Sequence, residues 1–219
     1  MGVRPGGILA RGPWEVAHVE ARWRDRPYAP ARHEDEAADA ALAGLAKRGS
    51  PTHDGFGARL AGFDAADSRL VLDLEPARWA LRLGADALDS ISALCAVRDA
   101  DGRWLAGRRA EWVASWPGRW ALGAGGAVEV GESPADTLSR ELEEEWSVAP
   151  ERLSVEALVR SPNGLVLVVG MAHLAAGAKV ERDAEHDAHA WWPANPAEWP
   201  DEADTPLRLM AAMLDSAPQ

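Results

Sequence analysis

The segment from Gly126 to Val148 constrains this chain more than any other, because it joins a glycine-rich turn to a helix whose start is written in the residues. It reads Gly-Ala-Val-Glu-Val-Gly-Glu, then seven residues, then Arg-Glu-Leu-Glu-Glu-Glu-Trp-Ser-Val. Ser133 suits the N-cap, Pro134 the first helical position and Asp136 the first turn, so a helix is predicted to begin there. At about 100° per residue, with Glu141 at zero, Glu144 falls near about −60° and Glu145 near about 40°. Leu138, Leu142 and Trp146 span about 60° to 140°, and Glu143 points away at about 200°. One apolar stripe therefore packs on a core, with three carboxylates along its margin and Arg140 within reach of Glu144.

Stability alone does not favour this design. Carboxylates in the last turns oppose the helix dipole by about 0.3–1 kcal/mol each. Like charges about 4 Å apart repel by about 1 kcal/mol in water and about 4 kcal/mol at an effective dielectric near 20. A bound cation removes both penalties, and hard carboxylate oxygens select Mg²⁺ or Mn²⁺. A bare Glu-Glu-Glu run reads as a solvated face; the glycine-rich turn ahead of it shifts the balance.

These residues resemble the signature of the Nudix hydrolase family, Gly-x5-Glu-x7-Arg-Glu-U-x-Glu-Glu-x-Gly-U, where U is a bulky aliphatic residue. Gly126, Glu132, Arg140, Glu141, Leu142, Glu144, Glu145 and Val148 fall on the pattern, and Ser147 stands where the family has Gly. The resemblance implies that Glu141, Glu144, Glu145 and the Gly126 carbonyl hold divalent metal, Mg²⁺ or Mn²⁺. It implies that Glu132 pairs with Arg140 as structural support. Because Gly takes a positive φ more cheaply than Ser, Ser147 is expected to strain the end of the helix. Gly123-Ala124 replaces the family's usual Leu-Pro, so a looser loop is expected. The water-activating carboxylate is not marked by the box. Glu185 is the first candidate and Glu181 the second, in an acidic loop from Glu181 to Trp192, and Glu145 and Glu144 are further candidates for the chemistry. His186 and His189 in the same loop could titrate near neutral pH. Arg108 and Arg109, at the end of a strand leading to the box, look like the family's phosphate-contacting residue; equally, one of them could pair with an acid.

Composition bounds the remainder. A chain of 219 residues that is 47% hydrophobic can bury one large core, or one domain and a smaller one. No apolar run reaches the length of a membrane span and the first residues lack a signal peptide's apolar stretch, so a cytoplasmic protein without membrane partners is expected. A formal charge of −12 disfavours nucleic-acid binding. A small-molecule nucleotide is the expected partner, and a homodimer stays open. The single Cys95 permits no intrachain disulfide and sits in a strand-like context.

The order of elements predicts a small α+β N-terminal module over residues 1–88 and a Nudix domain over 89–219. The module comprises a strand from Trp14 to Trp23, a helix over 31–48, and a hairpin of strands 56–63 and 69–74 around Asp64 to Ser68. Strands follow at 91–98, 103–110, 153–160 and 164–174, with the box helix between and a last helix near 205–215. Mixed strands with helices on both faces make an α/β/α sandwich, the Nudix-like fold class. Among the 11 Trp, Trp112, Trp116 and Trp120 lie close enough to the box to stack on a base. The triplet His53-Asp54-Gly55 reads as a turn.

The expected function is a Mg²⁺-dependent pyrophosphohydrolase that cleaves a nucleoside diphosphate linked to another group, nucleotide sugars being slightly favoured by the preceding module. Two alternatives are an enzyme like isopentenyl diphosphate isomerase and a regulator that binds nucleotides without turnover. The first needs an active-site cysteine, and the setting of Cys95 does not resemble one. Against the second stand the intact Glu141, Glu144 and Glu145.

Overall fold

Alternation along one strand divides the interior in two. In β5 (Ile91–Arg98), Ala93, Cys95 and Val97 enter one apolar core and Ala96 enters the other, as a strand buried on both faces requires. Helix α2 (Pro134–Trp146) brings Leu138, Leu142 and Trp146 to the first core. Helix α3 (Thr205–Asp215) brings Leu207 and Ala211 to the second, beside Trp104, Trp192 and Trp199. The result is the helix–sheet–helix sandwich that the order of elements predicts. The computed structural model describes residues 6–50, 54–66 and 68–216. His53 and Asp67 lie outside the described residues, so the turn at His53 and the tip of the hairpin are not placed.

The main sheet runs β1 (Gly7–Glu15), β9 (Arg152–Arg160), β10 (Val166–His173), β5, β6 (Trp104–Arg109), β11 (His186–Trp192). β7 (Trp120–Leu122) pairs with β6, and β8 (Ala124–Ala127) pairs with β5. Only β5 and β10 run parallel in it; the other pairs are antiparallel, which makes the sheet mixed. A second sheet, in the order β2 (Val19–Trp23), β4 (Arg69–Arg78), β3 (Phe56–Ala66), carries helix α1 (Arg32–Lys47). The start of α1 is fixed by Glu34, whose carboxylate accepts the Ala31 N–H at 2.7 Å. Leu70, Leu72 and Leu74 of β4 share the core that α2 seals.

Three expectations are corrected. The stretch Trp14–Trp23 is not one strand: a short 3₁₀ turn at Val16–His18 splits it, sending β1 to the main sheet and β2 to the small one. Residues 186–192 are not loop but the edge strand β11, whose first five residues, His-Asp-Ala-His-Ala, carry little strand propensity and hide it ahead of Trp191 and Trp192. The Gly123-Ala124 segment is not loose, because β8 is laddered to β5 from Ala124 to Ala127. At Gly123, with φ of +60°, an added Cβ would lie 1.8 Å from the Cys95 carbonyl oxygen, so only glycine fits.

Candidate active site

The site forms where β8 passes under the end of α2. An ideal Cβ on Gly126 would lie 2.0 Å from Glu141 Oε1, so the missing side chain is what lets the carboxylate rest on the backbone. The helix phase read from the sequence is visible in burial. Glu141 and Glu145 are buried beside Leu138, Leu142 and Trp146, while Glu143 and Glu144 are exposed.

Arg140 organises the carboxylates. Its Nε donates to Glu132 Oε1 at 2.9 Å and Nη2 to the Ala127 carbonyl at 3.2 Å, which ties the turn to the helix. Nη1 donates to Glu141 Oε1 at 2.8 Å and Glu144 Oε2 at 3.0 Å. Glu132 also accepts from the Thr137 hydroxyl at 2.7 Å and the Glu129 N–H at 3.1 Å. Burial would raise the Glu132 carboxyl, but these hydrogen bonds outweigh it and hold the group below its ordinary value.

Glu141 and Glu145 behave in the opposite way. Burial pushes Glu141 up, against the pull of Arg140. Burial pushes Glu145 up to about 9, Arg109 opposing and Glu141, Glu185 and Asp183 assisting. Two buried carboxylates under-supplied with positive charge, beside an exposed third and the Gly126 backbone, are a hard-oxygen donor set suited to Mg²⁺ or Mn²⁺. Among the described residues no three acidic, His or Cys side chains already converge on one point. Arg140 Nη1 bridges Glu141 and Glu144, so a metal would share those oxygens with it or displace it.

The two arginines of β6 part company, as neighbours on a strand must. Arg109 donates to Glu145 Oε1 at 3.4 Å and Glu185 Oε2 at 2.8 Å, and so joins the box to the start of β11. Arg108 points elsewhere: its Nε donates to Asp187 at 2.6 Å, and it does not line the cleft. Glu185 lines the cleft and Glu181 does not. His186 is buried against Trp146, ring centroids 4.7 Å apart, with Nδ1 3.2 Å from Asp183. Burial lowers its pKa, with Asp183 opposing. His189 is exposed.

The carboxylates open into a cleft of about 1570 Å³. Trp112 and Trp116, both about two-fifths exposed, line it, whereas Trp120 packs on Trp192 with centroids 5.5 Å apart. Cys95 is fully buried, its thiol pushed well up by burial, and takes no part in the lining. That disposition removes the cysteine an isomerase-like reading would need. Arg82, which no motif marks in the sequence, also lines the cleft. Its only signal is a lone cation in the apolar run Trp79-Ala-Leu-Arg-Leu83.

Comparison with known proteins accords with this geometry. A family model described as the NUDIX domain matches residues 89–212, more than half of the chain. No match was found among curated proteins. Similar solved structures include a MutT Nudix hydrolase from Burkholderia pseudomallei, 24% identical, covering 57% of this chain and 97% of its own, with a TM-score of 0.46. A MutT protein from Methanosarcina mazei Go1 is 23% identical, covering 57% and 92%, with a TM-score of 0.44. The Nudix domain of Shewanella oneidensis NrtR, complexed with ADP ribose, is 22% identical, covering 51% and 77%, with a TM-score of 0.42.

Proposed function

The chain belongs to the Nudix family of hydrolases, which act on pyrophosphate bonds, and from that premise we propose that its substrate is a nucleoside diphosphate linked to another group. A nucleotide sugar is the favoured member of that class, because an α+β module ahead of the box resembles the arrangement in enzymes of that kind. The observation that carries the reading is the contact of Glu141 with the side-chain-free backbone of Gly126, with Glu145 buried alongside.

Glu141, Glu144, Glu145 and the Gly126 carbonyl would hold Mg²⁺ or Mn²⁺, which when bound neutralises diphosphate charge and polarises the attacked phosphorus. Glu132 anchors Arg140, and Arg140 in turn fixes the carboxylates of Glu141 and Glu144 before substrate arrives. Glu185 accepts the proton of the attacking water, held at the cleft wall by Arg109. Trp112 and Trp116 supply faces on which a nucleobase can stack.

The test is cleavage of nucleotide sugars, dinucleoside polyphosphates, coenzyme A and nucleoside triphosphates with Mg²⁺, read as release of nucleoside monophosphate, or of adenosine 3′,5′-bisphosphate from coenzyme A. Glu145→Gln keeps size and removes charge, so kcat should fall at least about a hundredfold in a protein that still folds. Glu143→Gln, on the outer face, should change kcat by less than about threefold. No cleavage of any compound, or equal losses in the two variants, would overturn the proposal.

A further inference from the structure

Every arginine of the box region that lines the cleft is committed to acids: Arg140 to Glu132, Glu141 and Glu144, Arg109 to Glu145 and Glu185. Arg82 is different. It comes from the 3₁₀ turn Trp79–Leu83 that follows β4, outside the residues matched by the family model. Among the described residues it forms no ion pair; its Nη2 donates to the Ser92 hydroxyl and its guanidinium lies 5.7 Å from the Trp79 ring centroid. In a chain with 35 acidic and 23 basic residues, a half-buried guanidinium left without a carboxylate is a conspicuous choice.

Its position is specific. Ser92 is the ladder partner of Ala127, and the next pair along is Ala93 with Gly126. The hydroxyl that holds Arg82 is therefore one residue from the strand partner of the proposed metal-ligating carbonyl, and Arg82 lines the same cleft as Glu141, Glu144 and Glu145. Burial pushes the guanidinium down to about 10, against the opposing influence of Glu141, so it is still charged at neutral pH. A planar fork of N–H donors that is charged and partly desolvated suits phosphate oxygens, which it can grip in bidentate fashion.

We propose that Arg82, oriented by Ser92, binds a phosphate of the substrate beside the carboxylate cluster, so that the N-terminal half of the chain contributes a specificity-determining residue to the site. The diphosphate identity rests on the function proposed above; the anion contact rests on Arg82 alone. One end of the diphosphate would then lie at Glu141, Glu144 and Glu145 and the other at Arg82, which favours substrates with at least two linked phosphates.

The test is calorimetric binding of adenosine diphosphate with Mg²⁺ present, beside the kinetics of whichever panel compound the wild type cleaves. Arg82→Met, with its melting curve recorded, should weaken the Kd at least about tenfold, and Arg82→Lys should fall between it and wild type. For a cleaved compound, KM should rise by a similar factor while kcat changes less than about threefold. Should Arg82→Met fail to fold, Arg82→Lys carries the comparison with a loss of at least about threefold. Adenosine diphosphate binding that is absent in the wild type, or within twofold of wild type in the variant that folds, overturns the proposal. If the wild type cleaves a panel compound and that variant's KM is unchanged, Arg82 is structural and only this inference falls. If adenosine diphosphate binds through Arg82 and nothing is cleaved, the hydrolase reading falls and the phosphate contact stands.

Discussion

A single buried carboxylate of the box leaves a measurable mark on stability. Glu145 is only 4% exposed, and burial lifts its pKa from the ordinary 4.5 to about 9. Because the folded value lies above the unfolded one, the group's contribution is fully present below about 4.5 and is lost as pH rises through about 9. Without metal, the protein should therefore lose stability across that window, by up to about 3 kcal/mol at pH 7. Glu145→Gln carries no charge at any pH and should flatten the loss, making the variant the more stable protein in chelator at alkaline pH. Melting curves with a chelator from acid to alkaline pH decide the matter, and parallel curves for the two proteins would count against it. Added Mg²⁺ should narrow the gap, since a cation stabilises the charged form.

At the scale of the element, helix α2 was the most legible part of the chain and its neighbours the least. Ser133 caps it, accepting the Ala135 N–H at 3.3 Å, and Pro134 opens it, as read from the residues. Its end is at Ser147, whose φ of 53° and ψ of 41° place a non-glycine residue in the left-handed region. Its backbone closes the helix, the Ser147 N–H donating to the Glu143 carbonyl at 2.9 Å, but the exposed side chain adds no hydrogen bond among the described residues that glycine would lose. Ser147→Gly should stabilise the protein by up to about 1 kcal/mol in chemical denaturation. A loss of more than about 1 kcal/mol would show that the serine is needed. β11 was illegible for a physical reason: an edge strand that opens His-Asp-Ala-His-Ala is made by pairing with β6, not by the preferences of those residues. Arg82 escaped notice likewise, because only the tertiary fold brings it from β4's far end to the box.

Across the whole molecule, the small sheet is fastened to the large one by buried charge as well as by a shared core. Arg59 of β3 donates to Glu75 of β4 and to the Leu88 carbonyl, and lies 3.5 Å from Asp89. Asp89 accepts two hydrogen bonds from Arg160 of β9, at 3.0 and 2.8 Å. One network thus runs from the N-terminal sheet through the connecting segment to the main sheet. Together with β1, which pairs with β9, it makes independent melting of the two sheets unfavourable. Calorimetry should show one cooperative transition, although the sequence divides near residue 88. Asp89 is 4% exposed with φ of 58°, a backbone state asparagine tolerates well, so Asp89→Asn keeps the backbone while removing the charge and one acceptor oxygen facing the arginines. A buried ion pair adds little over an apolar contact, but removing one partner leaves the other charge stranded, at a cost of about 3–5 kcal/mol. Asp89→Asn should therefore lower the melting temperature by about 6 °C or more and, if the network is what couples the sheets, broaden or split the transition. A shift below about 2 °C with a single sharp transition would mean that the shared leucines of β4, and not the charges, hold the N-terminal sheet against the main sheet.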